Sequence, residues 1–323
     1  MKFSLIIPTH NRPKRLKLCI ESVFSSKFPK NNFEVVVIID GYCKESSKLL
    51  EHYQKKNNNL KVYNLIPNKG PAAARNYGIK HACGEIIGLT DDDCILENNW
   101  IEKMVDVHNQ NPDIVVVGGE TFPSLSSMKI ITGQYLSNLG IQCKISNNIE
   151  TIYFPTCNVS LKKKIFEKFS FDETIPYAGG EDLEFFWRLF KNNYRFVFDR
   201  NIIVHHYRSS LMKVFLKQQY TYGRGNLLVY LYHKDHPVLQ KYLSSKYQII
   251  VFRLLECFFN VPAIKMQYQF AQTIMDYYHI KGVKNKIKIF ICLILHRICS
   301  LLGNMREILK TISNRQYLLS LNQ

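Results

Sequence analysis

Three adjacent carboxylates, Asp91-Asp92-Asp93, close the apolar run Glu85-Ile86-Ile87-Gly88-Leu89. Like charges that close repel strongly at low effective dielectric, so a folded chain keeps such a cluster where a cation or strong donors neutralise it. Oxygen ligands on one short loop suit Mg²⁺ or Mn²⁺, hard ions that keep positions open for substrate phosphates. A solvated acidic turn or a helix N-cap uses the same residue type. A second acid pair stands in Gly179-Gly180-Glu181-Asp182-Leu183. Glycines bring backbone close to a ligand, and acids at a helix start lie beside favourable N–H groups. Leu183, Phe186, Trp187 and Phe190 make an apolar face that leaves Glu181 and Asp182 at its lip, candidates for a general base. Helix capping is the alternative account of one of them.

Cations and polar groups accompany the acids. Asn68-Lys69-Gly70-Pro71-Ala72-Ala73-Ala74-Arg75-Asn76 puts small residues at a helix start, with Lys69 and Arg75 one to two turns apart. Exposed N–H groups and the positive dipole end attract phosphate there, and the two cations add to it; an ordinary capped helix with a salt-bridging Arg is the alternative. His205-His206 follows the strand-like run Arg195-Phe196-Val197-Phe198. A lone His is usually structural, but one at this point could complete a metal shell.

These groups need a frame to hold them. Phe3 to Pro8 is a continuous apolar run that fits a strand buried on both faces, and it ends in Thr9-His10-Asn11-Arg12-Pro13. Leu16, Cys19 or Ile20, Val23 and Phe24 then fall at helical spacing. Glu34 to Gly41 predicts a second buried strand with Asp40 at its end, Glu45 to Asn57 a polar helix, and Leu60 to Pro67 a third strand. A helix over Pro71 to Ala82 and a fourth strand over Glu85 to Leu89 follow. Strand and helix alternate at βαβ spacing, which implies a parallel sheet covered by helices. Thr9, Arg12, Asp40 and Asp91 to Asp93 then all lie at the carboxyl ends of strands, the edge where open α/β sheets bind ligands.

Later segments read as a helix over Trp100 to His108, a strand over Ile114 to Phe122, a loop across 123–150, the stretch Ile152 to Ser160 and a basic helix. No G-x-G-x-x-G follows the first strand, which disfavours a dinucleotide fold. Gly223-Arg224-Gly225-Asn226-Leu227-Leu228 comes near that pattern but lies far from any strand start.

With 323 residues, 46% of them hydrophobic, the chain can bury a large core. Its charge of +17 is uneven: residues 201–323 hold 17 Lys and Arg against 4 Asp and Glu, an excess of 13. That basic tail implies a polyanionic partner, a membrane surface or a nucleic acid. Nine cysteines with no C-x-x-C pair point to reduced, packed thiols and away from a disulfide framework or a structural zinc site. The N-terminus is too soon interrupted for a signal peptide, so the expected location is the cytoplasm. In the tail, Tyr247 to Phe259 and Ile287 to Leu302 are apolar but punctuated by charge, which fits amphipathic helices on an anionic bilayer or a packed helical subdomain.

Taken in order, Ile6-Ile7-Pro8-Thr9-His10-Asn11-Arg12, Asp40-Gly41, Asn68-Lys69-Gly70 with Ala73-Ala74-Arg75-Asn76, Asp91-Asp92-Asp93, Gly180-Glu181-Asp182 and His205 resemble a family 2 glycosyltransferase of the GT-A fold. The resemblance spans roughly residues 2–225 and implies an α/β fold with a mostly parallel, Rossmann-like sheet. It implies a catalytic domain over 1–225, leaving 226–323 as a basic, helical, membrane-associated region. The implied activity is inverting transfer of a sugar from a nucleotide diphosphate-sugar to a saccharide or lipid-linked acceptor, assisted by Mg²⁺ or Mn²⁺. The setting would be surface polysaccharide or glycolipid synthesis on the inner face of the cell membrane, with no nucleic acid as partner.

Residue by residue, the resemblance puts Pro8, Thr9 and Arg12 beside the nucleotide and lets Asp40 accept a hydrogen bond from the base. Lys69 and Arg75 lie near the nucleotide or diphosphate, Asp91 binds the ribose, and Asp92 is counted with the same set without a role of its own. Asp93 holds the metal with His205 as second ligand, Asp182 is the catalytic base, and Asn158 matches an Asn of the family. The Gln-x-x-Arg-Trp motif of processive members is lacking; Gln218 to Gly225 stands in the comparable region, which favours addition of single sugars, with Arg224 as a lid or diphosphate residue. A metal-dependent phosphohydrolase or nucleotidyltransferase built on the triple Asp is the rival. A basic nucleic-acid-binding protein is disfavoured, because the excess charge lies in an apolar-rich tail without a recognised reading motif.

Overall fold

The structure, a computed structural model, describes residues 1–123, 153–175, 179–207, 211–233, 235 and 283–313. Runs of β-branched residues shielded on both faces have no water to satisfy their backbone, so they pair as strands. Accordingly β1 (Phe3–Thr9), β2 (Phe33–Asp40) and β4 (Ile86–Leu89) lie parallel, and the part-exposed β3 (Leu60–Leu65) joins them as the edge strand, in the order β3-β2-β1-β4. Every residue of β2 is buried. Helix α1 (Pro13–Phe24) buries the expected stripe, Leu16, Cys19, Ile20 and Val23. The helices α2 (Lys44–Gln54) and α3 (Pro71–His81) make the next two crossovers. Pro13 and Pro71 open α1 and α3, where a missing N–H costs nothing. Trp100 starts α4 (Trp100–Gln110) and meets the Phe3 ring edge-on, centroids 5.8 Å apart.

Beyond β4 the sheet is mixed. It continues β7-β6-β8-β5, where β5 is Cys94–Leu96, β6 Val116–Pro123, β7 Val159–Lys162 and β8 Phe196–His206. Strand β7 runs antiparallel to both β4 and β6, and β5 runs antiparallel to β8. At three residues β5 is too short to show a period-two signal in sequence. The expected basic helix after Ser160 is only a 3₁₀ turn, Lys163–Glu167. Ile165 is its one buried residue, too little apolar surface to anchor a longer helix.

The chain divides into two compact units. The first comprises Met1–Ser124, Ile145–Thr174 and Arg188–Tyr207 and holds the whole sheet. The second comprises Leu125–Lys144, Ile175–Trp187 and Arg208–Gln323. Its described helices are the first part of α5 (Glu181–Lys191), α6 (Met212–Tyr232) and α7 (Val283–Ser313). Helix α6 runs unbroken across 225/226, where the sequence reading ended the catalytic domain. The Ile287–Leu302 stretch lies within α7, whereas the loop expected up to residue 150 and the helix expected at Tyr247 to Phe259 lie outside the described residues. Among the described residues no helix is long and apolar enough to cross a membrane.

Candidate active site

Strands β1, β2 and β4 deliver Thr9, Asp40 and Asp91-Asp92-Asp93 to their common carboxyl edge. The acids are neutralised by the protein's own arginines. Arg12 Nη1 lies 3.1 Å from both Asp92 Oδ1 and Asp93 Oδ2, Arg15 Nη1 is 3.0 Å from Asp93 Oδ2, and Arg75 Nη2 is 3.0 Å from Asp91 Oδ1. Thr9 Oγ1 donates to Asp92 Oδ2 at 2.7 Å. Burial, then the charge of Asp93, pushes the Asp92 carboxyl up to about 6. Burial works against the Arg12 charge, but Asp93, Asp92 and Asp91 outweigh it and hold its pKa above the ordinary value. Asp92 is 3% exposed and turned towards Thr9 and Arg12, whereas the Asp91 side chain stays 28% exposed. Asp92 therefore orients its neighbours from within, and Asp91 faces the rim.

Asp40 meets the loop before α3. Its Oδ1 accepts from Lys69 N at 2.8 Å, and its Oδ2 accepts from Gly70 N at 2.8 Å and Asn68 Nδ2 at 2.9 Å. The carboxylate thus fixes the Asn68-Lys69-Gly70 turn, leaving the Lys69 side chain exposed. Pro8 is half-buried at the end of β1, next to buried Thr9.

The histidine beside the acids is His206. Its Nε2 lies 2.9 Å from Asp93 Oδ1, and the adjacent Tyr207 N donates to Asp93 O at 2.6 Å. His205, the residue expected at the metal, pairs with Ile95 on β5 and stacks on Phe122, with ring centroids 6.2 Å apart. Successive side chains of a strand point to opposite faces, so the register Cys94↔His206 sends His205 the other way. Asp91, Asp93 and His206 bring one ligand atom each within 4.8 Å of one another. Sequence reasoning missed both Arg15 and His206. The signals were there: Arg12 and Arg15 stand at helical i,i+3 spacing, and Ile202, Val204 and His206 share the buried face of β8.

Asn158 is wholly buried and braces the sheet. Its Oδ1 accepts from Trp100 Nε1 at 2.8 Å, and its Nδ2 donates to Glu120 O at 2.8 Å and Ile202 O at 3.2 Å.

In the second unit, Gly179 and Gly180 hold φ values of +120° and +114°, a region that disfavours side chains. A Cβ on Gly225 of α6 would lie 1.8 Å from Gly179 O, which explains one glycine of Gly223-Arg224-Gly225 as packing. Arg224 Nε pairs with the fully buried Glu307 of α7 at 2.8 Å, which makes it a helix-to-helix tie where the sequence reading had a lid or diphosphate residue. Three acids share the first turn of α5. Glu181 Oε2 accepts from Gly179 N at 2.7 Å, and Glu184 Oε1 lies 3.1 Å from His233 Nε2; both glutamates are buried. Asp182 is partly exposed, and its Oδ1 accepts from Leu183 N at 2.9 Å.

Comparison with known proteins agrees with this architecture. Curated relatives include glycosyltransferase AglE of Haloferax volcanii, 25% identical over 228 residues, 71% of this chain and 74% of that protein. Another is the dolichyl N-acetyl-alpha-D-glucosaminyl phosphate 3-beta-D-2,3-diacetamido-2,3-dideoxy-beta-D-glucuronosyltransferase of Methanococcus voltae. It is 26% identical over 242 residues, 70% of this chain and 73% of that protein. Among solved structures, the mannosyltransferase PcManGT of Pyrobaculum calidifontis, in complex with GDP-Man and Mn²⁺, superposes with a TM-score of 0.62 at 13% identity. The match covers 94% of this chain and 87% of that one. Staphylococcus aureus TarS 1–349 with UDP-GlcNAc gives 0.54 at 16% identity, covering 97% and 92%. These likenesses show the fold, the expected GT-A arrangement of a mixed α/β sheet flanked by helices. The family model for glycosyl transferase family 2 matches residues 4–169, about half the chain. A match of that extent, on a sheet that carries the acid cluster at its carboxyl edge, places the chain in glycosyl transferase family 2, as a glycosyltransferase.

Proposed function

We propose that the chain moves a single sugar, with inversion, from a nucleotide diphosphate-sugar to a saccharide or lipid-linked acceptor in surface polysaccharide or glycolipid synthesis. The observation that carries this reading is the cluster of Asp91, Asp93 and His206 among Arg12, Arg15 and Arg75. Names of similar proteins support the substrate classes: the Methanococcus voltae relative acts on a dolichyl phosphate-linked sugar, and the similar folds bind GDP-Man or UDP-GlcNAc.

Hard carboxylate oxygens and one imidazole, drawn close together, fit Mg²⁺ or Mn²⁺. Asp93 and His206 would hold such an ion, which supplies positive charge for the departing diphosphate. Asp91, at the rim, serves the ribose. Pro8 and Thr9 border the nucleotide, and Asp40 shapes the Asn68-Lys69-Gly70 turn so that Lys69 reaches the diphosphate. Arg12 and Arg75, already poised at the acids, offset the negative charge that grows as the anomeric bond breaks. Asp182 takes the proton of the acceptor hydroxyl as it attacks the anomeric carbon from the face opposite the leaving group. One base and one in-line displacement invert the configuration.

Membrane attachment on the cytoplasmic side belongs to the same reading. It is supported by exposed Ile291, Ile294, Ile298, Leu302, Met305 and Leu309 on α7, beside Arg297, Arg306 and Lys310. The test is release of nucleoside diphosphate from a panel of nucleotide-sugars with Mn²⁺ and acceptor. Asp182→Asn should slow turnover by about 10²–10⁴-fold while donor binding persists. Full turnover in both Asp182→Asn and Asp93→Ala sinks the reading, and nucleoside monophosphate as product points to nucleotidyl or phosphohydrolase chemistry instead.

A further inference from the structure

Behind the acids, Cys94, Cys157 and His206 converge from three elements. Cys94 opens β5, directly opposite His206 on β8, and Cys157 stands just before β7. Their exposures are 0%, 2% and 9%, and one ligand atom from each lies within 4.8 Å of the others. Both thiols are free. Thr90 Oγ1 donates to the Cys157 carbonyl at 2.9 Å, which ties Cys157 to the segment that carries the acids.

We propose that Cys94, Cys157 and His206 form a second, thiophilic cation site, for Zn²⁺ or an ion of its class. Thiolate and imidazole are the preferred donors of such ions, whereas Asp91 and Asp93 favour hard ones. A tetrahedral zinc site sets sulfur donors about 3.8 Å apart, given Zn–S bonds near 2.3 Å, so these donors need to close by no more than about 1 Å. On binding, each thiol loses its proton to solvent and forms one metal–sulfur bond, so two protons leave as one dication enters. The charge of the filled site, two thiolates with one dication and a neutral imidazole, is zero, which suits burial. Widely separated cysteines of this kind escape any inspection for C-x-x-C pairs.

One imidazole serves both donor sets, so a soft ion at the thiols draws His206 away from Asp93. This coupling rests on the reading of Asp93 and His206 as the hard-cation ligands, and it makes the thiol pair an inhibitory zinc sensor.

The test uses the full chain, reduced and stripped of metal, titrated with Co²⁺ and then Zn²⁺. The expected result is a sulfur-to-cobalt charge-transfer band, abolished by Zn²⁺, lost in Cys94→Ser and in Cys157→Ser, and kept in Asp91→Asn. A missing band, a band that survives both serine variants, or one lost in Asp91→Asn overturns the proposal. Should the serine variants misfold, the wild-type chain is alkylated in mild urea. Zn²⁺ should then protect Cys94 and Cys157 but not Cys19 and Cys43, and equal labelling overturns the site. Displacement of bound Mn²⁺ by Zn²⁺ in the wild type but not in Cys94→Ser or Cys157→Ser supports the coupling, and displacement that persists in both serine variants refutes it. A cobalt band in a chain that binds no Mn²⁺ supports the thiol site while refuting the hard-cation reading.

Discussion

Replacing Asn158 by Ala separates a structural role from a role in substrate binding. The resemblance matches Asn158 to a family position, yet its amide is spent wholly on the protein: Trp100 Nε1, Glu120 O and Ile202 O are its partners. The substitution strands the buried indole N–H, which costs about 1–3 kcal/mol, and removes two hydrogen bonds to carbonyls, about 0.5–1.5 kcal/mol each. The total, roughly 2–6 kcal/mol, is a large part of the 5–15 kcal/mol that holds a typical domain together. It corresponds to a fall in Tm on the order of 10 °C. Urea unfolding followed by tryptophan fluorescence suits the measurement, since Trp100 is one of only two tryptophans. Trp100→Phe completes a double-mutant cycle, and the pair should cost less than the sum of the singles by about 1–2 kcal/mol. Nucleotide affinity of the folded variant should stay unchanged. A loss below about 1 kcal/mol, or strictly additive singles, would refute the brace.

Other outcomes follow from the same geometry. His206→Ala should weaken Mn²⁺ binding in calorimetry about tenfold or more, while His205→Ala leaves it alone; the opposite pattern restores His205 as the ligand. Burial lowers His108 from its ordinary value of 6.5 to about 4. Above pH 6.5 its contribution is therefore complete, and as pH falls towards 4 the unfolded chain binds a proton that the fold refuses. Stability should drop by on the order of 3 kcal/mol across that window, and His108→Gln should flatten the slope in urea titrations run at several pH values. Gly225→Ala drives a methyl group to 1.8 Å from Gly179 O. It should destabilise the second unit by about 1–3 kcal/mol in thermal melts, and an unchanged melt counts against that close approach.

The sequence by itself determined the strands β1 to β4, their parallel order of appearance and the carboxyl edge that gathers Thr9, Asp40 and the triple Asp. Those features rest on local signals: doubly buried runs such as Val35 to Ile39, helical stripes such as Leu16 to Val23, and polar residues where the runs stop. It also placed acids at the start of α5 and cations near the acid cluster. Tertiary structure decided which partners those residues meet. The Asp91–Asp93 repulsion that called for a metal is met in large part by Arg12, Arg15 and Arg75, from two helices. His206 and not His205 reaches Asp93, because the pairing of β5 with β8 fixes the register and a shift of one residue turns a side chain to the other face. Arg224 is claimed by Glu307, 83 positions away, and Cys94 and Cys157 meet only because β4, β5 and β7 converge. Residue type and spacing are carried along the chain, but contacts between strands distant in sequence exist only once the sheet has closed its order, and at this site those contacts decide which side chains meet.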